Sequence, residues 1–80
     1  MFIIKQEVLD MEEYTIVMNW DAEARVWYAI NDDIPMALES DSYDVLVKRV
    51  KLAAPEILEM NGENPECILR FISERREEVA

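Results

Sequence analysis

Between Tyr14 and Trp20 the apolar positions alternate: Tyr14, Ile16, Met18 and Trp20 fall on one side, and Thr15, Val17 and Asn19 on the other. A period of two, with aromatic and β-branched residues, predicts a strand. The pattern returns in "VWYAI", residues 26–30, where Val26, Tyr28 and Ile30 share one face and Trp27 and Ala29 the other. The five residues between, "DAEAR", suit a hairpin loop built around a type I turn. "NDD" then turns the chain, with Asp33 as turn initiator, and Pro35 fits an edge or a strand start. "MALES", residues 36–40, is expected to be a short third strand.

After Ser42 the period changes to that of a helix. Ser42 is the expected N-cap, with Asp41 as the alternative and Asp44 in the first turn, where the helix dipole favours negative charge. A stripe of Leu46, Val50, Ala53 and Ile57, flanked by Val47, Ala54 and Leu58, faces the core. Pro55 lies inside the pattern and removes a backbone donor, so a kink or a restart is expected there. Gly62 is the expected C′ residue. "ECILRFIS", residues 66–73, is apolar on both faces and predicts a final strand covered on both sides. The charged tail "ERREEVA" is expected to fray. Residues 1–12 suit an added edge strand, a mobile arm, or the product of an upstream start codon with Met11 as the true start.

The expected architecture is α+β: a small βββαβ layer, with an antiparallel three-stranded meander, one kinked helix on one face, and a final strand. Its expected core is Trp20, Ile16, Met18, Leu46, Val50, Ile57, Leu69 and Phe71.

Charge narrows the partners. Eighteen acidic against eight basic residues give a net charge of −10. Such a chain lacks the basic footprint for a nucleic-acid backbone or an anionic membrane. It favours a basic protein partner, or serves solubility alone. The chain has no histidine and one cysteine, Cys67, which removes the usual general base, a zinc set and a cysteine–histidine pair. A single glycine leaves no glycine-rich phosphate loop, so no cofactor is expected. Lys48, Arg49 and Lys51 suit local ion pairs or a solvated helix face. No secretory leader or membrane span is visible, and a cytoplasmic protein is expected.

The strand phasing places Trp20 with Ile16 and Met18 beneath the helix, and Trp27 with Ala29 on the opposite, uncovered face. An uncovered apolar face on a small domain commonly serves a dimer or a partner, which nominates Trp27; the alternative is that both tryptophans are core. The carboxylates Asp21, Glu23, Asp32, Asp33, Glu39 and Asp41 are expected around one end of the sheet. There they would bind a divalent metal, meet arginines of a partner, or serve turns and caps.

The blocks "WDAEARVWYAI", "DDIP", "LESDS", "APEILEMNG" and "ISERREEV" occur in this order over residues 14–78. In Trp20, Asp21, Glu23, Ala24, Val26, Trp27, Asp33, Ile34, Pro35, Glu39, Asp41, Pro55, Glu56, Leu58, Glu59 and Asn61 the chain resembles small bacterial domains of unknown function placed beside the HicB antitoxins. That group carries glycine after the Asp-Ile-Pro proline; Met36 stands here. The resemblance implies a HicB-like domain over residues 13–80 with a partial ribonuclease-H-like fold. It also implies a partner: a small, basic, RNA-cleaving HicA-type toxin, neutralised by direct binding. The expected function is therefore a non-catalytic protein-binding module that acts as an antitoxin or an antitoxin relative and forms a dimer. A toxin-free homodimer with a structural or regulatory role is the alternative, and a metal-dependent hydrolase built on the carboxylates the remote one.

Overall fold

Strand β1 runs over Glu12–Asp21 and β2 over Val26–Ile30, joined by the four residues 22–25. These elements belong to a computed structural model that describes residues 11–80, so the expectations for residues 1–10 lie outside the described residues. The hairpin loop is one residue shorter than "DAEAR" suggested, because Asp21 joins the strand. Its carboxylate accepts hydrogen bonds from the backbone N–H groups of Glu23 and Ala24 at 3.0 and 3.2 Å, and its carbonyl accepts from Arg25 N–H at 2.7 Å. Arg25 closes the loop with φ at 59°, in the left-handed region.

That single residue reverses one expectation. With Asp21 in the loop, Trp20 would sit opposite Val26; with Asp21 in the strand, Trp20 pairs with Trp27 and Met18 with Ala29. A slip of one residue exchanges the two faces of a strand. Trp27 therefore shares a face with Trp20, Met18 and Ile16 on the helix side, and not the open side.

The exit turn is also organised differently. Asn31, rather than Asp33, governs it: its side-chain oxygen accepts from the N–H groups of Asp33 and Ile34, both at 2.8 Å. Its amide nitrogen donates to the Thr15 carbonyl at 2.8 Å, tying the turn to β1. This seats Ile34, absent from the expected core, with no exposed surface. Asn31→Ala is expected to cost about 1–3 kcal/mol, since backbone donors lose their acceptor. Urea unfolding measures it; an unchanged midpoint would show that water replaces the amide without penalty. The third strand, β3, is only Glu39–Ser40, paired antiparallel to β2.

Helix α1 spans Tyr43–Met60. Ser42 caps it, its hydroxyl accepting from Val45 N–H at 3.2 Å. The helix runs unbroken through Pro55, so no restart occurs. Its fully covered line is Leu46, Val50, Ala54 and Leu58, steps of four that bring Ala54 to the centre and leave Ala53 and Ile57 half-buried beside it. At its end Glu63 N–H reaches the Leu58 carbonyl at 2.8 Å and Gly62 N–H the Glu59 carbonyl at 3.1 Å, with Gly62 at φ 78°. This is a Schellman closure, which needs a left-handed residue at the glycine position.

Strand β4, Cys67–Glu74, returns beside β1 and runs parallel to it, so the sheet is mixed, with order β3-β2-β1-β4. Among the described residues the result is a small α+β layer of four strands and one helix. Ile16, Met18, Leu46 and Val50 are fully buried, with Leu69 and Phe71 packed half-buried against them. Among the described residues β4 is an edge strand, and the two-sided cover expected for it is missing: Ile72 is 37% exposed.

Candidate partner-binding site

The ladders define the face turned away from the helix. Val17 on β1 lies opposite Ile30 of β2 on one side and Ile72 of β4 on the other, so a row of three aliphatic side chains crosses the sheet. The next row is Glu74, Asn19, Tyr28 and Glu39, acidic at both ends. Below the aliphatic row, Arg70 reaches Thr15 Oγ1 at 3.4 Å. Tyr28, Ile30 and Ile72 stay 37–44% exposed, and nothing among the described residues covers them. These residues, with Val17, escape notice in the sequence because they look like the polar-side half of each alternation. The signal is present in the alternation itself: both halves of "VWYAI" are apolar, and Val17 breaks the polar half of "TIVMNW".

The expected interface residues separate. Trp27 packs against the core and meets Tyr43 edge-on, with ring centroids 5.0 Å apart and planes at 86°. Trp20 is half-buried at the rim, its ring 5.4 Å from that of Trp27. Asp21 is engaged in the hairpin loop and Glu23 stands exposed within it. Asp32 and Asp33 follow the far end of β2, so the carboxylates divide between the two ends of the sheet instead of gathering at one. Glu39 lies opposite Tyr28 on the open face, and Asp41 precedes the helix cap. Among the described residues no group of three metal-ligating side chains converges. Arg49 donates to the Glu39 carbonyl at 2.7 Å, joining the helix to β3.

A second feature lies on the helix side. A groove of about 460 Å³ opens between α1 and β4, lined by Val47, Lys51, Pro55, Pro65, Cys67, Leu69 and Phe71. Burial pushes the Cys67 thiol above its ordinary value, so it stays protonated at neutral pH and is a poor nucleophile. The Tyr14 phenol is raised too, first by burial and then by the charges of Glu12 and Glu63.

A family model described as "Domain of unknown function (DUF1902)" matches residues 13–80, which takes in the helix and all of the four described strands except Glu12. The chain belongs to this family. The DUF1902 chain is also similar to a solved structure, the hypothetical protein TTHA1013 from the extremely thermophilic bacterium Thermus thermophilus. The two share 30% identity, with 86% of this chain and 99% of that one covered, at a TM-score of 0.66. No curated protein matches the DUF1902 chain. Among the described residues no helix is long and apolar enough to cross a membrane.

Proposed function

We propose that this DUF1902 domain is a non-catalytic protein-binding module, a relative of the HicB antitoxins, that covers a small basic RNA-cleaving protein with the open face of its sheet. The observation that carries this is the open-face row of exposed Ile72 and Ile30 on either side of half-buried Val17, with Tyr28 beside it, bounded by Glu39 and Glu74. A contiguous apolar patch with a charged rim is the usual anatomy of an interface, the centre supplying affinity and the rim steering encounter. The rim favours a basic partner over a second copy, since among the described residues Glu39 and Glu74 outnumber the one cation of this face, Arg70. The net charge of −10 acts in the same direction. The resemblance to HicB-type sequences supplies the toxin as the partner's class.

The test is co-expression with the product of a short basic reading frame adjacent in the genome, scored by co-purification and by suppression of its RNA cleavage. The double substitution Tyr28→Thr with Ile72→Thr is expected to weaken binding at least about tenfold, because it removes apolar area without adding charge and burial of either side chain is worth about 1.5–3 kcal/mol. Both positions are exposed, so the melting temperature should hold. Full binding by the double variant would exclude this face. No basic partner, together with a dimer whose mass halves in the same variant, would establish the homodimer instead.

A further inference from the structure

The aromatic cluster at the hairpin end holds a cation. Arg75, the first residue beyond β4, lays its guanidinium carbon 4.3 Å from the centroid of the Trp20 ring and 5.9 Å from that of Trp27. Both distances lie within the range over which a guanidinium is attracted to an indole face. The two rings stand 5.4 Å apart and are tilted by 59°, so they form the walls of an open slot and not a closed stack. One wall is fixed from behind. Trp27 abuts Tyr43 edge-on, and the Tyr43 hydroxyl accepts a hydrogen bond from Ser73 Oγ at 2.9 Å. The slot is therefore set by residues of β1, β2, α1 and β4, whereas its occupant belongs to the exposed tail after the last strand.

We infer that the Trp20–Trp27 slot is a guanidinium-binding site filled in cis by Arg75, and that an arginine of a protein partner enters it by displacing Arg75. The inference rests on the proposed function for the partner's basic character, and it adds where one of its side chains goes. The chemistry selects arginine over lysine: a planar guanidinium stacks on an indole and is weakly hydrated, whereas an ammonium keeps its water. Arg75 is a plug that exchanges readily. Its side chain is 46% exposed, and its other partner is the Glu77 carboxylate two residues along the same tail. A partner that brings several cations toward a chain of net charge −10 outcompetes these exposed intramolecular contacts of a single side chain. The slot lies on the helix side at the hairpin end, so its occupant touches a region separate from the open sheet face.

Titrating the full chain with an acetylated tetra-arginine amide, followed by tryptophan fluorescence, tests the site without any toxin. Arg75→Ala is expected to tighten binding about threefold, the scale of one exposed cation–indole contact removed from competition. Arg76→Ala removes the same charge one residue away and is expected to change binding less than about twofold, on the scale of a screened surface charge. Trp20→Leu in the Arg75→Ala background should cancel the gain, and a tetra-lysine amide should show a smaller one. Equal effects of Arg75→Ala and Arg76→Ala would overturn the inference, because charge alone would then explain them. If Trp20→Leu fails to fold, the indole N–H signals of the Arg75→Ala variant decide. Movement of the Trp20 and Trp27 signals on adding the arginine peptide supports the site, and unmoved signals overturn it. Failure here leaves the open-face assignment standing, since that rests on Tyr28 and Ile72.

Discussion

Ile16→Ala is expected to destabilise the domain by about 2–5 kcal/mol, the range for emptying a fully buried aliphatic site. Ile16 lies in the middle of β1 with no exposed surface, opposite Phe71 of β4 and beneath the helix line of Leu46 and Val50. Domains of this length are stable by only about 4–12 kcal/mol, so the loss is a large share of the total. It should lower the melting temperature by about 4–8 °C for each kcal/mol. Ile30→Ala, on the open face at 44% exposure, is the internal control and should cost less than about 1 kcal/mol. Thermal melts of the pair check the face assignment directly. Similar losses at the two positions would mean that the open face is covered in the free protein.

Ending the chain at Glu66 should abolish cooperative folding altogether. The cut removes β4, the parallel partner of β1 from Glu12 to Asn19, and with it Leu69 and Phe71, which pack against the core. The central strand would become an edge with Ile16 and Met18 opened on one side, and the remnant of one hairpin, the two-residue β3 and the helix is too small to keep a closed core. The expected result is loss of the near-ultraviolet tryptophan signal and of any sigmoidal urea transition. Retention of a sigmoidal transition would show that the helix and the hairpin hold the core without β4.

Much of this fold is legible in the residues themselves. Ser42 and Gly62 bracket the helix because capping and left-handed closure are local chemistry, readable one residue at a time. The alternation in β1 and β2 is equally local. The faces of those strands relative to each other are not. They depend on whether Asp21 belongs to the strand or the loop, and its carboxylate, bonded to Glu23 and Ala24, satisfies either description in sequence. An apolar face is expected from the sequence and stands open among the described residues, but this single residue replaces Trp27 and Ala29 on it with Tyr28 and Ile30, beside Val17 of β1 and Ile72 of β4. The helix line shows a milder form of the same problem, since Ala53 and Ala54 are equivalent by composition and only packing selects Ala54. Ile34 and Arg75 are not legible at all. One is buried by a turn that Asn31 organises; the other meets Trp20 across 55 positions of chain (75 − 20).

The parallel pairing of β1 with β4 also dictates an order of assembly. Thr15 and Arg70 stand 55 residues apart, whereas Trp20 and Trp27 need only a four-residue loop to meet. Short-range closure is fast, and long-range parallel pairing is slow because the loop entropy is lost before the contacts form. The hairpin should therefore appear early in refolding, bringing the two indoles together within microseconds, and the sheet should close only when the last strand arrives. Until then β1 carries an unpaired edge, the kind of surface on which chains aggregate. Of the four described strands, the one synthesised last is the one that protects the first.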